Sequence, residues 1–262
     1  MEKETLSIIS YNLNGIRSAV SKGLADWIKE TDYDLYLFQE IKADLYSIPT
    51  EYFDELGYKH LWFPAQKKGY SGVGVVYKKH LEPNHIQYGI NIPKYDNEGR
   101  VIQFTIGDIT FLNTYFPSGS SGEERQSVKM DFLEDYFNYI QELRNKHPKI
   151  ILSGDYNICH TEIDIHDPKG NKNSSGFLPE EREWMTQFFN SGFIDTFRFI
   201  NNDLKDQYSW WSYRAGARAK NKGWRIDYQS CTKNMQEQLL DAKILMDVKH
   251  SDHCPIYLKI KI

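Results

Sequence analysis

The 262 residues are enough to bury a substantial core, and a composition 40% hydrophobic and 26% charged excludes a disordered chain. A formal net charge of −4 excludes a global basic field, so any polyanion must be held by a local patch. The opening MEKETLSIIS resembles neither a signal nor a transit peptide, no stretch approaches the ~20 apolar residues of a membrane span, and Cys159, Cys231 and Cys254 lack C-x-x-C spacing, which argues against a disulfide framework or a thiolate zinc site.

These features imply a soluble cytoplasmic protein with buried, reduced thiols. In chain order, short β-branched and aromatic runs predict strands at 6–13, 34–40, 72–79, 101–116, 149–157, 225–231 and 255–262. Gly107-Asp108 divides the longest run and predicts a hairpin. Helices are expected at 23–31, 123–146 and 179–191. In the middle one, Ser121 and Glu124 have capping-box spacing, apolar Phe132, Leu133, Phe137, Ile140 and Leu143 recur at helical intervals, and Pro148 marks the stop. Hairpins mixed with strand-helix-strand units predict an α/β or α+β sandwich, two face-to-face sheets with helices outside, in a single domain over 1–262.

Several apolar runs end in a carboxylate or carboxamide: Asn12 and Asn14 after LSIISY, Glu40 after LYLFQ, Asp155 and Asn157 after IILSG, Asp227 after WRI, and Asp252 with His253 near the last strand. One acid at a strand end is usually a turn residue. Several sharing one rim would repel one another unless a hard cation neutralised them. Oxygen ligands without a cysteine framework favour Mg²⁺, with Mn²⁺ as a substitute, and such an ion serves phosphoester hydrolysis.

Residues 209–226, SWWSYRAGARAKNKGWRI, hold five basic residues, no acids and three tryptophans. Arg214, Arg218 and Lys220 suit phosphates, while Trp210 and Trp224 offer rings to bases or sugars. Arg17 and the Lys67, Lys68, Tyr70 cluster extend this candidate DNA track. The bland alternative is a solvated basic loop beside core tryptophans.

Taken together, YNLNGIR, FQEIKA, KKGYSGVG, NTYFP, SGDYNICHTEIDI, GFLPEEREW, WWSYRAGARAKNKGWRIDY and SDHCPI resemble the exonuclease III family of abasic-site DNA endonucleases, in order along almost the whole chain. The resemblance implies a four-layer sandwich of two mixed sheets flanked by helices. It implies Mg²⁺-dependent incision of double-stranded DNA 5′ to abasic sites, with 3′-5′ exonuclease and 3′-phosphodiesterase activity. No obligate protein partner is expected, and a monomer is the expected state. Carried over residue by residue, Glu40, Asn12 and Asp252 surround the metal with Asp155 and Asn157, which also position the attacking water. Asp227 and His253 form a pair at the scissile phosphate, Tyr115 is the active-site tyrosine, and Asn171 contacts a phosphate. Trp210, Trp224 and Ile226 wall the sugar pocket.

The chain departs from the pattern at Asn14, where some members carry Asp, and in KGNKNSSGF, where a serine or Asn173 replaces a second asparagine. Arg214 stands in place of an apolar wedge, and the loop SGSSGEE has no aligned contacts. Asp155 and His253 both remain candidates for the base. Three rival readings exist for His253: a core histidine, a zinc ligand without companions, and a base for Cys254, which precedes Pro255 at the start of an apolar strand. Two rival functions stand beside the nuclease: a related phosphodiesterase or phosphatase on a non-DNA substrate, and a weakly catalytic lesion-binding protein.

Overall fold

The computed structural model describes residues 5–262; the reading of the opening segment falls partly on residues 1–4, outside that range. Twelve strands are found among the described residues: β1 (Thr5–Asn12), β2 (Leu35–Gln39), β3 (Tyr58–Phe63), β4 (Val73–Lys78), β5 (Asn84–Tyr88), β6 (Val101–Ile106), β7 (Ile109–Tyr115), β8 (Ile150–Asp155), β9 (Phe193–Asp195), β10 (Asp227–Thr232), β11 (Leu239–Ile244) and β12 (Ile256–Lys261). Helices α1 (Ile16–Ser21), α2 (Leu24–Thr31), α3 (Glu51–Glu55), α4 (Pro93–Asp96), α5 (Glu123–Lys146), α6 (Pro168–Asn171), α7 (Pro179–Asn190) and α8 (Thr196–Ile200) connect them. The strands form two six-stranded mixed sheets, ordered β11-β12-β1-β2-β4-β3 and β5-β6-β7-β8-β10-β9. This is the expected α/β sandwich of two sheets flanked by helices.

Strand alternation explains the layering. In β1, Leu6 and Ile8 enter the core between the sheets, whereas Ile9 and Tyr11 pack with Ile28 of α2 and Phe53 of α3. In β7 and β8, Phe111 and Ile151 face the other sheet while Leu112 and Leu152 lie beneath Phe132 and Tyr136 of α5 and Phe188 of α7. Sheets covered on both faces read as nearly continuous apolar runs, which is why the interior strands stood out in the sequence.

Amide side chains pin the sheets together. Asn113 donates to the Phe38 and Gly74 carbonyls and accepts from Gln39 Nε2, while Gln229 donates to the carbonyls of Ile8 and Ile256. Each bond crosses the sandwich, so sliding one sheet would strand buried polar groups.

Two local expectations need correction. Helix α5 begins with Gly122 as its N-cap and has no side-chain cap, so the Ser121–Glu124 capping box is absent; Glu123 and Glu124 instead place negative charge in the first turn. The predicted strand at 225–231 starts only at Asp227, because Trp224 bridges Ile165 and Trp210, and the Arg225 side chain is drawn into a buried pair with Asp164 and Asp195. The hairpin at Gly107-Asp108 is present, with Ile106 paired to Ile109.

Gly154, just before Asp155, has φ +151°, and a Cβ there would lie 1.8 Å from the Thr114 carbonyl oxygen of the neighbouring strand. Gly154→Ala is expected to destabilise the fold by on the order of 3 kcal/mol, measured by urea unfolding, because the β7–β8 pair must separate to admit the methyl group.

Candidate active site

Strand direction gathers the scattered polar groups at one rim. Strands β1 and β2 run parallel with Asn12 opposite Gln39, so Asn12 and the next residue after β2, Glu40, emerge together. Strands β7 and β8 run parallel with Tyr115 opposite Asp155. Strand β10 is antiparallel to β8 with Asp227 opposite Asp155, so the start of one meets the end of the other. Strand β12 is antiparallel to β1, with Ile256 opposite Ser10, and carries the preceding Asp252 and His253 to the same place. Asp227 therefore opens a strand rather than closing one.

Glu40 turns into the rim from a left-handed backbone, φ +49°, and Asn14, Lys42 and Asn157 are left-handed too. Such conformations cost non-glycine residues energy and are held by their surroundings. Here the Glu40 carbonyl accepts from Gly15 N–H, while Ile41 and Lys42 N–H donate to the Gly72 and Ser71 carbonyls.

Asn12 Nδ2 donates to both Glu40 Oε1 and Asp155 Oδ2, at 2.9 Å each, bridging the two sheets through two acids. Asp155 also accepts the Asn157 backbone N–H at 2.8 Å. His253 Nδ1 meets Asp227 Oδ2 at 2.9 Å, and its Nε2 lies 3.9 Å from Asp155 Oδ2. Ser209 completes the pair: its hydroxyl donates to Asp227 Oδ2 and accepts the N–H groups of Ile226 and Asp227.

The electrostatics follow from this crowding. Burial, then the charge of Asp227, push the Asp155 carboxyl well above the usual range, against the opposing pull of His253. Burial draws His253 down, but the charge and hydrogen bond of Asp227, with Asp155 and Asp252 beyond, prevail and raise it to about 10. Glu40 is held low against burial by Lys42, whose ammonium lies 2.8 Å from Glu40 Oε2 and also bonds Asn14 Oδ1. Burial and the neighbouring Glu40 and Asp155 keep the Tyr115 phenol strongly protonated.

Glu40, Asp155 and His253 offer ligand atoms within 4.8 Å of one another. Two carboxylates repelling each other in a buried site fit a hard divalent cation. The other expected ligands are placed differently. Asp252 accepts from Asn14 Nδ2 and Trp210 Nε1 and stands outside this trio. Asn12 turns donor hydrogens, not its oxygen, toward the acids, because its Oδ1 accepts the Asn14 N–H. Asn157 likewise donates its amide to the Phe116 carbonyl.

A cavity of about 370 Å³ opens beside the acids, lined by Tyr115, Ser118, Ser120, Ser175, Gly176, Trp210, Trp224 and Ile226 as well as Glu40, Asp155, Asn157, Asp252 and His253. Trp210 and Trp224 meet edge to face with centroids 6.0 Å apart. Asn171 is not in this lining; its amide closes its own loop on the carbonyls of His166 and Asp167.

The basic stretch divides. Arg214 and Lys220 are exposed, as are Arg17, Lys67 and Lys68. Arg218 instead stacks on Trp211 and donates to the carbonyls of Met246, Val248, Ser251 and His253, shaping the His253 loop from behind. Tyr70 is half-buried, its hydroxyl accepting from Arg100 and Arg125, and Arg100 lies 4.9 Å from the Tyr115 ring. Lys42, Ser209 and Arg100 escaped the sequence reading. Only Lys42 had a local signal, two residues after Glu40 in FQEIKA. Cys254 packs in the core between the sheets, which removes it as a nucleophile for His253.

The sequence pattern of the Endonuclease/Exonuclease/phosphatase family matches residues 9–253. The chain is 43% identical over 258 residues to an exodeoxyribonuclease of Bacillus subtilis (strain 168), covering 98% of this chain and all of that one. It is 37% identical over 259 residues to the DNA repair nuclease APEX1 of Danio rerio, covering 98% of this chain and 83% of that protein. An AP endonuclease structure from Archaeoglobus fulgidus superposes with a TM-score of 0.88 at 28% identity, over 98% of this chain and all of that one.

The Asp227–His253 pair sets a pH signature. A raised histidine pKa means that the pair's contribution to stability is full below the ordinary value near 6.5 and is lost as the pH climbs through about 10. In metal-free protein, ¹⁵N NMR should find the His253 ring still doubly protonated at about pH 8, and Asp227→Asn should lower its titration, since the charge and hydrogen bond that oppose burial most strongly are then lost.

Proposed function

This chain belongs to the Endonuclease/Exonuclease/phosphatase family, and from that premise we infer that it is a DNA repair nuclease of the exonuclease III type that incises duplex DNA 5′ to abasic sites with Mg²⁺, Mn²⁺ serving as a substitute. Trimming of recessed or blocked 3′ ends uses the same centre. The observation that carries this reading is the convergence of Glu40, Asp155 and His253 beside a cavity with an indole-lined corner.

In this reading Glu40 and Asp155 hold the divalent ion, whose contribution when bound is to neutralise charge on the phosphate oxygens. Asp155, oriented by the backbone N–H of Asn157, takes the proton of the attacking water. His253, held by Asp227 through Nδ1, directs Nε2–H at the phosphate, and the protonated Tyr115 hydroxyl supplies a second donor. The base-less sugar enters the corner made by Trp210, Trp224 and Ile226, where a missing base lowers the cost of extrusion. Arg17, Lys67, Lys68, Arg214 and Lys220 are exposed and available to the DNA backbone.

Chelation should abolish nicking of an abasic duplex, and Mg²⁺ should restore it. Asp155→Asn should lower turnover by about 10²- to 10⁴-fold while gel-shift affinity for the duplex stays near wild type; unchanged turnover removes Asp155 as the base. Trp224→Ala should weaken the preference for abasic over intact duplex by about tenfold in parallel incision assays.

A further inference from the structure

Behind the cavity lies a charge pair with no part in the chemistry above. Lys129 of α5 and Glu181 of α7 are both fully buried, with Nζ 2.6 Å from Oε1. Lys129 also donates to the backbone carbonyl of Asn157 at 2.8 Å. Glu181 Oε2 accepts the N–H groups of Gly176 and Leu178 at 2.6 and 3.0 Å, and its Oε1 accepts from Gln126 Nε2. Gln126 Oε1 in turn accepts from the Ser175 hydroxyl at 2.6 Å.

Three of its ends, Asn157, Ser175 and Gly176, are walls of the cavity, which Ser118, Ser120 and Trp224 also line. The fit has no slack. Gly176 has φ +96°, and a Cβ there would stand 3.0 Å from the Trp224 ring and 3.1 Å from the Asn157 carbonyl oxygen. A Cβ on Gly119, between Ser118 and Ser120, would lie 1.8 Å from Gln126 Oε1 and 2.6 Å from Ser175 Oγ. Three segments, 118–120, 157 and 175–176, thus close on one another across Gln126 and the ion pair. Stability alone does not call for such a pair, since well-packed apolar replacements are commonly as stable as a buried salt bridge. A pair kept at this location has an effect that apolar packing lacks: directed hydrogen bonds to named backbone atoms.

We propose that Lys129, Glu181 and Gln126 are positioning residues that set the width of the sugar pocket between the Ser175–Gly176 wall and Trp224, and so set the preference for a nucleotide without a base. The proposal rests on the reading of the cavity as the abasic-sugar pocket.

The test compares wild type, Gln126→Ala and the charge-free double variant Lys129→Met/Glu181→Leu. Each is assayed with Mg²⁺ on two duplexes that differ at one position, a tetrahydrofuran abasic analogue or an intact nucleotide, and each is melted by circular dichroism. The double variant should melt as a folded protein while its kcat/KM ratio for abasic over intact duplex falls by about tenfold, mainly through a higher KM for the abasic duplex; Gln126→Ala should show a smaller fall, about threefold. A purely structural role predicts activity that follows melting temperature and a ratio that stays constant. Folded variants with the wild-type ratio overturn the proposal while leaving the pocket reading intact, and a wild type without preference overturns both. If the double variant does not fold, Gln126→Ala, which leaves the ion pair in place, decides by the same ratio.

Discussion

The structure is organised around the mutual repulsion of carboxylates brought to one buried rim. Glu40, Asp155, Asp227 and Asp252 arrive from both sheets, and burial alone would push Glu40, Asp155 and Asp252 toward their neutral forms. Each is answered by a different device: Lys42 beside Glu40, Asn12 shared by Glu40 and Asp155, His253 with Ser209 at Asp227, and Asn14 with Trp210 at Asp252. Asp155 remains the least compensated, held by amide donors and the more distant His253. The proposed roles of Asp155 as cation ligand and proton acceptor rest on that imbalance.

Holding such a site demands that two sheets keep their relative position closely. The amide pins from Asn113, Gln39 and Gln229 do this inside an otherwise apolar interface, tying side chains of one sheet to backbone carbonyls of the other. A purely apolar interface would tolerate small sliding, because dispersion and burial are weakly directional. Gly154 adds a tight contact between β8 and β7 immediately before Asp155.

Much of the basic charge supports shape rather than ligand. Arg225 is buried with Asp164 and Asp195, Arg218 secures the loop that carries His253, and Arg100 supports Tyr115. A guanidinium's planar array of donors suits several fixed carbonyls or carboxylates at once, which explains why arginine fills these interior posts while Arg214 and several lysines remain at the surface. Charge composition could not separate the two uses.

The interior strands β1, β2, β4, β6, β7, β8, β10 and β12 were legible because both faces are buried and their residues are accordingly apolar and β-branched. Strands β3, β5, β9 and β11 escaped notice. All four are sheet edges, short or half-exposed, where solvent relaxes the demand for apolar residues. The polar residues at strand ends were equally visible, since an acid that interrupts an apolar run leaves a mark in the sequence itself. Which of them touch was decided by strand direction and register: the pairing of Asp227 with Asp155 joins positions 72 residues apart, and no local pattern encodes that bond. The same holds for Asp252 standing aside from the trio, Arg218 turning inward and Lys129 meeting Glu181. A side chain's partner depends on where the folded backbone aims it, and that aim is set by long-range packing.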